Sequence, residues 1–246
     1  MDHMCGASAA SDETKVPEQR RVIQADLLKA LKLRSQRGAT AGWTANEVLP
    51  GLFLGDGAAS QDLAQLRRYK ITHILNVADD VPNSFPSEFR YCNLDVADFG
   101  QDRGISRVFA TAVEFVGTAL DGRDSAKLAE SPDTTQVTAV PPRKHNVLVH
   151  CAAGMNRSVC VTTAIVMKRN SVSLRDAWNV VLAARPGSCP LRGNLGELMA
   201  WELQETGSST MSEDDFHLLR RRARRARRKK EAAQASIISD GAAHPP

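Results

Sequence analysis

No run of the roughly eighteen uninterrupted apolar residues that a membrane-spanning helix requires occurs in this chain. Its start, MDHMCGASAASDETK, lacks the apolar centre of a secretory leader. Both features lead us to expect an intracellular protein, cytoplasmic or nuclear or both. Cysteine is scarce and odd in number: Cys5, Cys92, Cys151, Cys160 and Cys189 are scattered, with no CxxC pair. That pattern fits neither a disulfide framework nor a zinc site. Acidic residues are missing from RRRARRARRKK, residues 220–230, whose nine basic side chains turn the net charge of +4 into −5 for the rest of the chain. The body is therefore mildly acidic and the tail strongly basic, so overall charge gives no reason to expect a basic catalytic face.

What is present is an ordinary globular composition, 42% hydrophobic and 24% charged over 246 residues, enough for one sizeable domain with appendages. Residues 1–44 read as a polar leader ending in an amphipathic helix, with Val22, Ile23, Leu27, Leu28, Leu31 and Leu33 at near-helical spacing between Glu18 and Arg37. A central domain is expected over 45–207 and a basic tail over 208–246. Within the domain the pattern predicts a strand at Leu52–Leu54, a helix at about Ser60–Tyr69, and strands at Ile71–Val77 and Tyr91–Val96. A long helix is marked by Ile105, Val108, Phe109, Ala112, Val113, Val116 and Leu120. Residues 121–145 show no periodicity and read as a surface insertion. A strand at Asn146–His150, a loop, a helix over Arg157–Arg169 and a second helix between Ser173 and Pro186-Gly187 complete the pattern. Alternating strands and helices predict an α/β fold with a twisted, largely parallel central sheet flanked by helices.

The chemistry concentrates in VLVHCAAGMNRSVCV, Val147–Val161. An apolar strand runs into a small-residue loop, and a helix opens at an arginine. Ala152, Ala153 and Gly154 leave room for backbone N–H groups to converge on an anion, continued by Met155 and Asn156, and the following helix adds its positive end. Arg157 supplies a planar fork for two phosphate oxygens. A thiol at the mouth of such a cradle, Cys151, favours its thiolate. These parts suit in-line attack on phosphorus and a phosphocysteine that water then hydrolyses, with Ser158 placed to hydrogen-bond the departing sulfur. Nothing in this chemistry calls for a metal or another cofactor.

The run His150-Cys151-Ala152-Ala153-Gly154-Met155-Asn156-Arg157-Ser158 resembles the active-site signature of the dual specificity phosphatases, and LFLGDGAASQDLAQLRRYKITHILNVADD resembles that family's first strand, helix and strand. YCNLDVADF resembles the segment that holds the family's general acid, which places the acid at Asp98, with Asp95 and Asp102 as competitors. The resemblance spans about residues 45–205. It implies hydrolysis of phosphotyrosine and also phosphoserine or phosphothreonine in proteins, with Cys151, Arg157, Asp98 and Ser158 as the catalytic residues and phosphoproteins as partners. Asn156 stands where most members have serine and is similar to the loop of RNA 5′-triphosphatases of the same superfamily, so action on RNA 5′ ends is the second reading. A weakly active phosphate-binding scaffold is the third. For the basic tail, import receptors, nucleic acid and acidic surfaces all remain open. His150 is expected to shape the loop rather than act as a base, and a Cys92–Cys151 disulfide requires the fold to bring the two together.

Overall fold

A computed structural model describes residues 42–98, 104–122 and 145–241. The expected N-terminal helix, most of the insertion and Asp102 lie outside the described residues.

Five strands form one sheet in the order β1-β2-β5-β3-β4: β1 Asn46–Leu49, β2 Leu52–Gly55, β3 Ile71–Ala78, β4 Arg90–Val96 and β5 Asn146–His150. The four strands from β2 to β4 across the sheet run parallel, and β1 closes the edge antiparallel to β2. β5 lies in the middle, between β2 and β3, and Val147 to His150 are all buried. A strand covered on both faces has no use for polar alternation, which is why VLVH reads as a continuous apolar run.

Side-chain alternation divides the core in two. Phe53, Ile74 and Leu148 point to one face, where they meet Trp43, Tyr69, Phe85 and Phe89. Leu54, Leu75, Val147 and Val149 point to the other, under helices α3 (Phe109–Asp121), α4 (Arg157–Asn170), α5 (Leu174–Ala184) and α6 (Arg192–Thr206). The long apolar stripe expected from Ile105 to Leu120 is a 3-10 turn, Ile105–Val108, leading into α3.

The single helix expected over Ser60–Tyr69 is instead two short ones, α1 Gly57–Gln61 and α2 Leu63–Arg68. The cause is a pair of aspartates. Asp56 accepts from the Ala59 amide and Asp62 from the Gln65 amide, so each carboxylate caps its own helix start. Strand β1, which the sequence pattern missed, is short and only half buried.

The domain boundary expected at 207 falls inside the packed body. Helix α7, Glu213–Gly241, begins beside it, and Met211 and Phe216 are buried. Phe216 packs edge-on to Trp178 of α5 with ring centroids 5.0 Å apart. Ser212 and Asp215 cap α7 reciprocally, and the acidic first turn Glu213-Asp214-Asp215 suits the helix dipole. From Arg221 to Lys229 every basic side chain in this helix is exposed, while Ala223 between them packs against the body. Among the described residues no helix is long and apolar enough to cross a membrane.

Candidate active site

The site forms at the C-terminal ends of the parallel strands, where open α/β sheets bind ligands. β5 delivers Cys151 to this edge, 2% exposed. Its Sγ lies 3.2 Å from Ser158 Oγ, in the first turn of α4.

Three tethers hold the loop between them. The Gly57 amide donates to the Ala152 carbonyl at 3.0 Å, Arg185 Nε to the Gly154 carbonyl at 2.7 Å, and the Cys189 amide to the Met155 carbonyl at 2.8 Å. In a trans peptide the N–H points opposite to the C=O. Fixing these carbonyls outward therefore turns the amides of Ala153, Met155 and Asn156 the other way, as an anion nest demands. Gly154 takes φ +63°, and a Cβ there would lie 2.6 Å from the Gly55 carbonyl oxygen and from Arg185 Nη2. No other residue fits that close approach. Arg185 also donates to the Thr44 carbonyl and to Asn46 Oδ1, so one guanidinium joins the loop to the edge strand. Its burial pushes its pKa down, with Asp56 and Cys151 opposing.

Arg157 opens α4 with 1% exposure. Its Nη1 donates to Asp79 Oδ1 at 3.0 Å, Asp80 Oδ1 at 2.9 Å and the Val96 carbonyl at 2.9 Å, while Nε and Nη2 have no hydrogen-bond partner. Burial works against its charge, and the Asp80 hydrogen bond with Cys151, Asp98 and Asp80 nearby outweighs it, so its pKa lies above the ordinary arginine value. The same hydrogen bond holds Asp80 below the usual carboxylate range.

Asp98 stands at this arginine: its Oδ2 is 3.4 Å from Arg157 Nη2 and its Oδ1 accepts from Asn156 Nδ2 at 2.7 Å. Of its competitors, Asp95 is exposed and its carbonyl accepts from Arg107 Nη2 at 2.8 Å. Asn156 precedes α4 without capping it, because its Oδ1 already accepts from the Leu191 amide and Asn194 Nδ2. The first amides of α4 are thus left without a side-chain cap at the loop.

His150 is 1% exposed and its pKa is pushed down to about 4, mainly by burial. It is therefore neutral near pH 7. Cys92 pairs with Leu75 of β3, which pairs with Val149 of β5, so it sits two strands away from β5, about 10 Å at the usual strand spacing. That separation exceeds what a disulfide spans, and the Cys92–Cys151 bridge considered from sequence is excluded in this arrangement. Among the described residues no group of three or more His, Cys, Asp or Glu could hold a metal.

The structure brings together Cys151, Arg157, Ser158 and Asp98, which the sequence singled out, and sets Asp79, Asp80, Arg185 and Asn194 around them, which it did not. The two aspartates follow a buried strand at its C-terminal end, a position that was a usable signal. Arg185 and Asn194 carried none.

The model of the dual specificity phosphatase catalytic domain matches residues 131–204. Mouse dual specificity protein phosphatase 19 is 31% identical over 173 residues, 69% of each chain. Human dual specificity protein phosphatase 9 is 32% identical over 158 residues, 63% of this chain, which spans only 35% of that longer relative. Among solved structures, the human tyrosine phosphatase-like serine/threonine/tyrosine-interacting protein is 29% identical with a TM-score of 0.51, covering 65% of this chain and 97% of its own. With a buried cysteine, a buried arginine and an adjacent carboxylate in one place, and with relatives of this kind, the chain belongs to the dual specificity phosphatase family as an atypical member, its domain being that of a protein tyrosine/serine/threonine phosphatase.

Proposed function

We propose that the chain hydrolyses phosphotyrosine, and also phosphoserine and phosphothreonine, in proteins through a phosphocysteine intermediate. The observation that carries this reading is the Arg157 fork. Its Nη1 is anchored by two carboxylates and a carbonyl, while its buried Nε and Nη2 make no hydrogen bond, Nη2 standing 3.4 Å from Asp98 Oδ2. An arginine held in this way presents one edge for bidentate contact with a phosphoryl group.

Cys151 Sγ attacks phosphorus in line. The S–P bond forms as the ester P–O bond breaks, and Asp98 gives its proton to the leaving oxygen. The loop amides, the start of α4 and Arg157 bear the charge on the equatorial oxygens. Water then attacks the phosphocysteine, Asp98 takes its proton, and Ser158 Oγ hydrogen-bonds the departing thiolate. Asn156 spends both its polar atoms on Asp98, Leu191 and Asn194. It therefore carries no argument for an RNA 5′ substrate.

Phosphate release from an aryl phosphate and a phosphotyrosine peptide, by wild type and Cys151→Ser in parallel, tests the reading. Loss of turnover in the variant is expected. Retained turnover removes Cys151 from the mechanism, and inactivity of the wild type leaves a phosphate-binding scaffold.

A further inference from the structure

Asp79 and Asp80 are placed with care. They follow β3, and the turn that carries them is stapled by Asn76: its Nδ2 donates to the Val81 carbonyl at 2.7 Å and to Asn83 Oδ1 at 3.2 Å, and its Oδ1 accepts from the Ala78 amide at 3.1 Å. Each aspartate has one oxygen on a guanidinium that is 1% exposed, yet the two side chains themselves are 43% and 56% exposed. They therefore reach from the buried clamp to the mouth of the site.

The charge balance there is lopsided. Three carboxylates, Asp79, Asp80 and Asp98, lie within 3.4 Å of the one Arg157. The phosphate of a phosphorylated side chain brings a further charge of about −1.5 to −2 at neutral pH. Nε and Nη2 of Arg157, which make no hydrogen bond and have Asp98 Oδ2 3.4 Å from Nη2, mark where its oxygens go, beside this acidic rim. A cation supplied by the substrate itself offsets the excess, and a second anion on the substrate aggravates it.

We propose that Asp79 and Asp80 set substrate specificity, favouring phosphorylated residues with a lysine or arginine beside them and disfavouring polyanionic phosphate esters. The inference rests on the phosphatase reading above and adds the substrate class to it. A role confined to holding Arg157 is separable, since loss of that hold slows every substrate alike, whereas loss of a charge match changes the ratio between substrates.

The test compares kcat/KM for two phosphotyrosine peptides that differ only in lysine or glutamate beside the phosphorylated residue, using the full chain at low and high salt. For exposed carboxylates the lysine peptide is expected to be favoured roughly fivefold. The ratio should shrink as salt screens the rim, and fall close to one in Asp79→Asn/Asp80→Asn. Should the double variant not fold, Asp80→Asn alone and the salt series on the wild type give the same ratio. Equal rates for the two peptides in the wild type, or a preference that survives the substitutions, overturn the proposal while aryl phosphate turnover that depends on Cys151 stands. Absence of any Cys151-dependent turnover overturns the phosphatase reading and this inference together.

Discussion

Asn156 holds Asp98. Its amide nitrogen donates to Asp98 Oδ1 at 2.7 Å, and its amide oxygen is fixed from the far side by the Leu191 amide and Asn194 Nδ2, each at 2.9 Å. The residue before Arg157 thus ties the segment of Asp98 to the start of α6. With Oδ1 occupied by that amide, Oδ2 is the oxygen turned toward the guanidinium, 3.4 Å from Arg157 Nη2. Asn156→Ala should therefore lower kcat about tenfold for a phosphate ester with a poor leaving group and much less for p-nitrophenyl phosphate, because only the former needs the proton. Asp98→Asn should show the same asymmetry, larger, near a hundredfold (~10²) for the poor leaving group. Steady-state rates over a series of aryl and alkyl phosphates check both, and equal losses along the series refute the assignment.

Gly154→Ala should fold and turn over far more slowly. Its methyl lies on the Gly55 carbonyl oxygen and on Arg185 Nη2, so the loop must shift and break its Arg185 tether. A displacement on the scale of an ångström at the reacting centre costs roughly a hundredfold in rate. Thermal unfolding and aryl phosphate turnover, measured on one preparation, separate the two effects.

The buried His150 makes stability pH-dependent. Its folded pKa of about 4 lies below the unfolded value of 6.5, so between these values the unfolded chain binds the extra proton and the folded one does not. The contribution is complete above about 6.5 and is lost as pH falls towards about 4, on the order of 3 kcal/mol in all. Urea midpoints at pH 7, 5.5 and 4 should fall accordingly, and the fall should be shallower in His150→Gln.

Glu202 is 1% exposed, and its carboxylate accepts from the Leu174 amide, the Thr210 amide and Thr210 Oγ1 at 2.7–2.8 Å. It joins α6 to the start of α5 and to the turn before α7. Glu202→Ala leaves these donors without an acceptor and should cost about 3 kcal/mol, read by denaturant titration. Glu202→Gln keeps one acceptor oxygen and should cost less.

The strand, loop and helix from Val147 to Arg169 were legible because their chemistry is contiguous: apolar run, small residues, arginine. Asp98 was reached only through resemblance, since an aspartate in a turn looks like any other. Asp62 was misread as a helix-interior residue because a cap and a polar surface position differ only in which amide the carboxylate takes. Arg185 and Glu202 were invisible for a different reason. Their partners lie far along the chain, at Thr44 and Gly154 for the one and at Leu174 for the other, and no local pattern announces a contact that only the finished fold creates.

The insertion between α3 and β5 leaves and returns at a single atom: the Gly122 amide and the His145 amide both donate to the Ala119 carbonyl oxygen, at 3.1 and 3.3 Å. The twenty-two residues 123–144 are therefore bracketed by a closed gate on the scaffold. Both ends of the segment are thus set on one carbonyl of α3, and the second of them leads straight into β5, the strand that delivers Cys151.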